Sequence, residues 1–268
     1  MNDPRPISFL SDYGLDDDFV GVCHGVMARI APAARVFDIA HGVPRHDIRT
    51  GAMLLRRALP YLPPGVHLAV VDPGVGTERR AIAIRTAEED RVLVGPDNGL
   101  LSLAAQRFGG VVEAVDVTRS VHRLEPVSPT FHGRDLFAPV TAALAAGAPL
   151  EAAGDPLDVN EIEVLHMPLA GVDADGLTAH AIAFDRFGNV TLDVEHEELT
   201  FAGLRLGHSI GVNRHHAVYA VTFADVPPGE LLLYEDSYRT LALAVNRGSA
   251  RDELGLALDD PLRITPGP

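Results

Sequence analysis

Lysine is absent from this 268-residue chain, and cysteine occurs once, as Cys23. A single cysteine rules out an intrachain disulfide and any cysteine-based metal site. Cys23 itself reads as a small buried hydrophobe. The 22 basic residues, all arginine, face 37 acidic ones, for a formal net charge of −15. Neutralising a phosphate backbone needs clustered cations, so the composition argues against nucleic-acid binding and fits a small polar or cationic ligand better. No run of 18 or more uninterrupted apolar residues occurs, which leaves no candidate membrane span. The opening M-N-D-P-R-P lacks the apolar core of a signal peptide, so the expected setting is the cytoplasm. What is present is ordinary for a folded enzyme-sized protein: 47% hydrophobic and 22% charged residues, in a length that suits one large domain or two modest ones.

The first half alternates apolar runs with helical spacing. Residues 7–10, 36–39, 66–71, 81–84 and 91–94 read as strands. Phe19, Val22, Cys23, Val26, Met27 and Ile30 show the i, i+3 and i, i+4 spacing of a helix face, which predicts a helix over 19–30 and makes a βαβ unit with its flanking strands. Further helices are expected over 48–59, with Asp47 as N-cap and Pro60 as a stop, and over 100–108 and 136–146. Such alternation implies an α/β domain with a mostly parallel, covered sheet. Residues 146–158 are rich in Pro, Gly and acids and read as a linker. Beyond it, strands are expected at 177–184, 190–194, 204–210, 217–222, 231–234 and 241–245, separated by Gly or Pro turns, as in a small antiparallel barrel or sandwich. The expected domains are 1–158 and 164–268.

Three segments concentrate polar chemistry. Ser11-Asp12-Tyr13-Gly14 follows the first strand, where ligands bind in parallel sheets. Asp12 there suits a ribose diol, although it or the run Asp16–Asp18 would equally serve the N-terminus of the next helix. Asp72-Pro73-Gly74-Val75-Gly76 follows another strand, with Arg79 seven residues beyond Asp72. It is either a glycine-opened ligand loop or a tight turn with an ion pair, and without a following G-K-[ST] it is no phosphate-binding P-loop. Phe131-His132-Gly133-Arg134-Asp135 packs a titratable cluster in front of a helix. Pro96-Asp97-Asn98-Gly99 is turn chemistry that also offers Asn98 to a ligand. In the second half, the segments 185–189 (with Asp185, Phe187 and Asn189), 235–238 (with Ser237 and Tyr238) and 246–250 (with Asn246, Ser249 and Ala250) suit either hairpin turns or recognition of an amino acid or purine. The twelve histidines include no H-E-x-x-H pattern. The adjacent pair His215 and His216 would point to opposite faces of a strand, so no metal site is expected.

Taken in order, SDYGLDDDFVG, FDIAHGV, VDPGVGTERRAIAI, GPDNGLL, PTFHGRDLFAPV, FDRFGN, YEDSY and VNRGSA resemble the S-adenosyl-L-methionine hydroxide adenosyltransferase family, the water-using relatives of the fluorinase and chlorinase. The resemblance implies an N-terminal α/β domain, a C-terminal β-barrel and a homotrimer with substrate between neighbouring subunits. It implies that Asp12 holds the ribose hydroxyls and that Asp72, Arg79 and His132 position and activate water, with Asp17 and Asn98 among the substrate-binding residues. Asp185 and Ser237 would hold the methionine amino and carboxylate groups. Phe223, Asn189 and the backbone near Ala250 would form the adenine surface, with Phe187, Tyr238, Asn246 and Ser249 as further substrate-binding residues. The halogenases carry an uncharged aromatic where this chain has Asp72 and lack a counterpart of His132, so the residues present favour water over halide. Where the water-using members commonly have S-Y-G, this chain has S-Y-R at 237–239.

The expected reaction is conversion of S-adenosyl-L-methionine and water to adenosine and L-methionine, with the sulfonium as substrate and no cofactor. Charge disappears as hydroxide meets the cation, so a dry pocket favours it. His132 has the intrinsic pKa of a proton carrier, and Asp72 or His132 is the base. The rival readings are a halide-using adenosyltransferase, a non-catalytic adenosyl-ligand sensor, and a methyltransferase, which the missing G-x-G-x-x-G loop disfavours.

Overall fold

Strand and helix alternate only as far as residue 165. In the computed structural model, which describes residues 3–194 and 202–267, the chain divides into two compact units between Leu165 and His166. The first unit contains β1 (Ile7–Ser11), β2 (Val36–Ala40), β3 (Val66–Val70), β4 (Ala81–Thr86), β5 (Val92–Pro96), β6 (Val111–Asp116) and β7 (Asp155–Pro156), in the order β2-β1-β3-β5-β4-β6-β7. The first four in that order run parallel, and β4, β6 and β7 add an antiparallel extension.

Its helices are α1 (Phe19–Ile30), α2 (Ile48–Ala58), α3 (Ser102–Arg107) and α4 (Ala138–Ala145). Asp47 caps α2 as expected, its carboxylate accepting from Thr50 N at 2.9 Å. Ile7, Phe9, Leu68 and Val70 pack on one face of the sheet with Cys23 and Met27 of α1 and Val140 and Leu144 of α4. On the other face Gly51 of α2 approaches so closely that a Cβ there would lie 2.8 Å from Leu100 Cδ1 and 3.8 Å from Leu10 Cδ2. The sheet is therefore covered on both sides. Residues 146–158 are not a free linker: Leu150 and Ala153 are buried, and Asp155–Pro156 pairs with β6. Two apolar anchors outweigh the surrounding Pro, Gly and acids.

The strand order has one consequence for ligands. The chain passes from β1 to β2 on one side and then returns to place β3 on the other side of β1. The carboxyl ends of β1 and β3 flank this reversal, which is where open α/β sheets bind their ligands.

The second unit contains β8 (Gly171–Asp173), β9 (Gly176–Phe184), β10 (Val190–Leu192), β11 (Ser209–Val212), β12 (His215–Tyr219), β13 (Leu231–Glu235), β14 (Leu241–Val245), β15 (Pro261–Pro266) and the short helix α5 (Ala250–Leu254). The order β10-β14-β13-β12-β11-β15-β9 closes when β9 pairs with β10, giving a seven-stranded barrel to which β8 is appended. Every pairing in it is antiparallel except β12 with β13. The alternate residues Leu177, Ala179 and Ala181 of β9 and Leu241, Leu243 and Val245 of β14 fill its interior.

The strand expected at 204–210 starts only at Ser209, after Gly207 turns the chain at φ 80°. The strand expected at 217–222 ends at Tyr219, and Thr222 instead caps a 3-10 turn, Phe223–Asp225, in which Thr222 and Asp225 cap each other. Among the described residues no helix is long and apolar enough to cross a membrane.

Candidate active site

A cleft of about 350 Å³ lies in the first unit and is lined by Asp12, Asp17, Asp72 and His132, all singled out from sequence. The two strands beside the sheet's reversal deliver its first two carboxylates. Asp12 follows β1 directly, its N–H donating to Val70 O at 3.3 Å, and Asp72 stands two residues beyond β3. Asp12 does not cap α1; its Oδ2 accepts from His46 N at 3.0 Å. Asp18 is the N-cap of α1 and makes no side-chain cap bond. Asp17 is an exposed cleft residue.

Two glycines bring the three motifs together. Gly133 lies against Tyr13, so a Cβ there would stand 2.0 Å from the phenol oxygen. Gly76, at φ 79°, lies against the 129–133 loop, where a Cβ would be 2.6 Å from Pro129 O. Each is a close approach that only glycine permits. His132 immediately precedes a π-helical turn, Gly133–Phe137, that leads into α4.

The catalytic candidates form one row. Arg79 donates from Nε to Asp72 Oδ1 at 2.9 Å and from Nη2 to Asp72 Oδ2, and the same Nη2 donates to His132 Nδ1 at 2.9 Å. The side chains of Asp72 and Arg79 are only 6% and 10% exposed, so this pair is shielded from the screening that weakens surface ion pairs. A guanidinium has no acceptor, so Nδ1 of His132 must accept and a neutral His132 carries its proton on Nε2. Burial first, and the Arg79 guanidinium second, hold the His132 pKa below the ordinary histidine value. Burial, ahead of nearby Cys23, Asp72 and Asp12, keeps the Tyr13 phenol protonated well above its usual range.

Several lining residues had no role assigned from sequence, although Tyr13 and Phe131 lie within its motifs. Tyr13, Phe19 and Phe131 form an aromatic wall, with Phe19 and Phe131 edge to face at 5.1 Å between centroids. Arg45 and His46 enter from the loop after β2, with His46 at φ 63°. Asn98 lies outside the lining. Its Nδ2 donates to Val71 O at 2.9 Å and its Oδ1 accepts from Leu100 N at 3.2 Å, tying the end of β3 to the turn after β5.

In the second unit, Asp185 accepts from Phe187 N at 2.8 Å, Asn189 N at 3.0 Å and Asn189 Nδ2 at 2.7 Å, so its carboxylate organises the β9–β10 turn. That turn packs on the loop before α5: Gly188 leaves no room for a Cβ beside Ser249 Oγ, and Arg251 N donates to Gly188 O at 2.9 Å. Ser249 caps α5 and Ala250 is buried at its first position. Phe223 lies over Tyr234 at 5.0 Å and shares a shallow groove with Asn246, whose amide donates to Val226 O at 2.7 Å. Ser237 and Tyr238 occupy the turn before β14, at the other end of that strand from Asn246. Arg239, the last residue of the S-Y-R segment, takes a left-handed φ of 62°.

An α/β unit with an Asp-Arg-His row at its strand reversal, followed by a closed seven-stranded barrel, defines a two-part small-molecule enzyme without a dinucleotide fingerprint. Family models resolve the class further: that of the SAM hydroxide adenosyltransferase N-terminal domain matches residues 7–154 and that of the C-terminal domain matches 179–263. The chain belongs to the SAM hydroxide adenosyltransferase family. It is 52% identical over 265 residues to the (R)-S-adenosyl-L-methionine hydrolase of Salinispora tropica, covering 98% of this chain and 99% of that one. It is 30% identical over 292 residues to the fluorinase of Actinopolyspora mzabensis, with 97% of each covered. The crystal structure of an uncharacterized conserved protein from Thermotoga maritima superposes with a TM-score of 0.89 at 38% identity, covering 97% of this chain and 99% of the other.

Proposed function

We propose that this chain is a hydrolase that cleaves S-adenosyl-L-methionine at C5′ with water, giving adenosine and L-methionine. The observation that carries the reading is the Asp72–Arg79–His132 row, whose tautomer the Arg79 contact fixes. Nε2–H of a neutral His132 donates to the water oxygen, while Asp72, each of whose oxygens keeps a lone pair beyond the Arg79 bonds, accepts a water proton. The water oxygen bonds to C5′, the C5′–S pair departs with sulfur to give the thioether of methionine, and the released proton passes to Asp72 and then to solvent. With Nδ1 engaged by Arg79, His132 acts as donor and holder, and the first proton acceptor is Asp72. Asp12, with one oxygen held by His46 N, keeps the other for the ribose hydroxyls. The substrate brings its own leaving group, so the chemistry calls for no cofactor.

In the same reading the barrel residues from Asp185 to Ala250 recognise methionine and adenine, and the assembly is a cytoplasmic homotrimer in which a neighbouring subunit's barrel completes the pocket. A light-scattering mass of one chain would remove that arrangement. The reaction is tested by chromatography of substrate incubated with enzyme in fluoride or chloride. Adenosine is the expected product. A 5′-halo-adenosine would make the protein a halide-using transferase, S-adenosylhomocysteine a methyltransferase, and binding without turnover a sensor.

A further inference from the structure

Behind the loop that carries Asp12, three side chains outside the cleft lining converge: His24 on α1, Asp38 in β2 and His41 just after β2. Their ligand atoms all lie within 4.8 Å of one another. His24 Nε2 is 2.8 Å from Asp38 Oδ1. His41 Nε2 is 3.0 Å from the same oxygen, yet its geometry is not that of a hydrogen bond, and this nitrogen, on a side chain only 3% exposed, has no hydrogen-bond partner. A buried imidazole nitrogen without a partner is costly.

The surroundings hold both rings in ligating poses. His41 Nδ1 is 2.7 Å from Ser11 Oγ, a partner able to take a proton from Nδ1 in a hydrogen bond, and in that tautomer the Nε2 lone pair faces Asp38 and is free for an ion. This is the outer partner that metal-bound histidines ordinarily have. Phe9 backs both imidazoles, with ring centroids 4.6 Å from His41 and 6.0 Å from His24.

We propose that His24, Asp38 and His41 bind one divalent transition-metal ion of the zinc class. Two imidazoles and a carboxylate suit zinc, cobalt or nickel rather than magnesium or calcium, which take all-oxygen shells. Tetrahedral ligands about 2.1 Å from an ion stand roughly 3.4 Å apart, a spacing that small rotations of the half-exposed His24 and Asp38 can reach. The ion joins α1 to the end of β2. Because the His41 carbonyl accepts from Gly14 N at 2.7 Å, it also fixes the back of the S-D-Y-G loop. It takes no part in bond cleavage. No sequence motif announces this site, since an i, i+3 Asp–His pair with a histidine fourteen residues upstream matches no common metal pattern.

The test titrates chelator-treated, tag-free protein with Co²⁺, reading visible absorption, and with Zn²⁺, reading thermal midpoint. The wild type is expected to bind one equivalent of Co²⁺ with a visible band, and to gain thermal stability with Zn²⁺ but not with Mg²⁺. His24→Ala and Asp38→Asn, both at half-exposed positions, are expected to weaken binding by about 100-fold or more, and Ser11→Ala by about tenfold. The absence of saturable one-to-one binding would overturn the proposal. So would binding or Zn²⁺ stabilisation that survives unchanged in both His24→Ala and Asp38→Asn, since the remaining histidines would then account for it.

Discussion

Two of the molecule's arginine–histidine pairs sit in contrasting settings, one in the core and one in the cleft. In the core, Arg91 Nη1 is 3.1 Å from His67 Nε2, and His67 Nδ1 is 2.8 Å from Ser8 Oγ. Arg91 is 2% exposed, lies over the Phe108 ring at 4.4 Å, pairs with Glu89 and donates to Leu62 O at 2.9 Å. In the cleft, Arg79 makes the same contact to His132 Nδ1. Both arginines oblige the nitrogen they face to accept, so both histidines are held neutral with the proton on the other nitrogen. The difference is what meets that second nitrogen. Ser8 closes the first pair into a structural clamp, whereas Nε2 of His132 has no protein partner among the described residues and remains available to a small molecule. The same pair chemistry thus serves packing or catalysis according to whether its last valence is used inside the protein.

The largest effect is expected of Arg91→Ala, which leaves His67 Nε2 and the Leu62 carbonyl without their buried donor. It is expected to cost about 2–4 kcal/mol of stability, read by denaturant melting, while turnover per folded molecule stays near wild type. Arg79→Lys should do the opposite. A lysine keeps the charge beside Asp72 but cannot fork to Asp72 and His132 together, so kcat is expected to fall about 10²- to 10³-fold with little change in melting. A variant with normal turnover would separate the row from the chemistry.

Acid distinguishes the pairs more gently. Burial first, then Arg91 and Arg5, push the His67 pKa from the ordinary 6.5 down to about 3. Between those values the unfolded chain takes up a proton that the folded chain refuses. This contribution to stability is therefore complete above about pH 6.5 and is lost by about 1.4 kcal/mol for each pH unit below it. Comparing wild type with His67→Gln at several pH values isolates the slope. His132 is also shifted downward, so the acid limb of kcat/KM is expected to lie below the usual histidine range, and an acid limb at or above 6.5 would contradict the neutral donor role. The smallest effect on folding is expected at the barrel turn. Phe187 is 67% exposed, so Phe187→Ala should change stability by less than about 0.5 kcal/mol, and its consequence, if it recognises substrate, will be read in KM.

Strong periodicity made the fold legible. The 19–30 helix and the 241–245 strand occupy the residues expected for them. By contrast β6, β8, β15 and α5 escaped notice: β8 and α5 are only three and five residues long, with Ser249 capping α5, and β6 and β15 are half-exposed strands held by their neighbours, β15 by β9 and β11. The row of Asp72, Arg79 and His132 was legible because each member sits in a dense polar motif beside glycine. Arg45, His46 and Tyr13 were not. His46 contributes a backbone N–H, which every residue but proline has, and Tyr13 contributes a wall whose position depends on Gly133, 120 residues away in the chain. The fixed tautomer of His132 is a property of distance, and no spacing in the sequence encodes it.

Closure of the barrel by β9 and β10 has a practical side for anyone grafting on this scaffold. A ring whose seven strands all have two neighbours offers no rim onto which a foreign strand can zip, apart from the three-residue β8. New recognition elements would have to be spliced into its turns. Those turns are themselves tied in, the one at 213–214 by Asn213, which exchanges hydrogen bonds with the Arg263 backbone, and the one at 185–189 by Asp185 and Gly188, which knit it to the loop before α5.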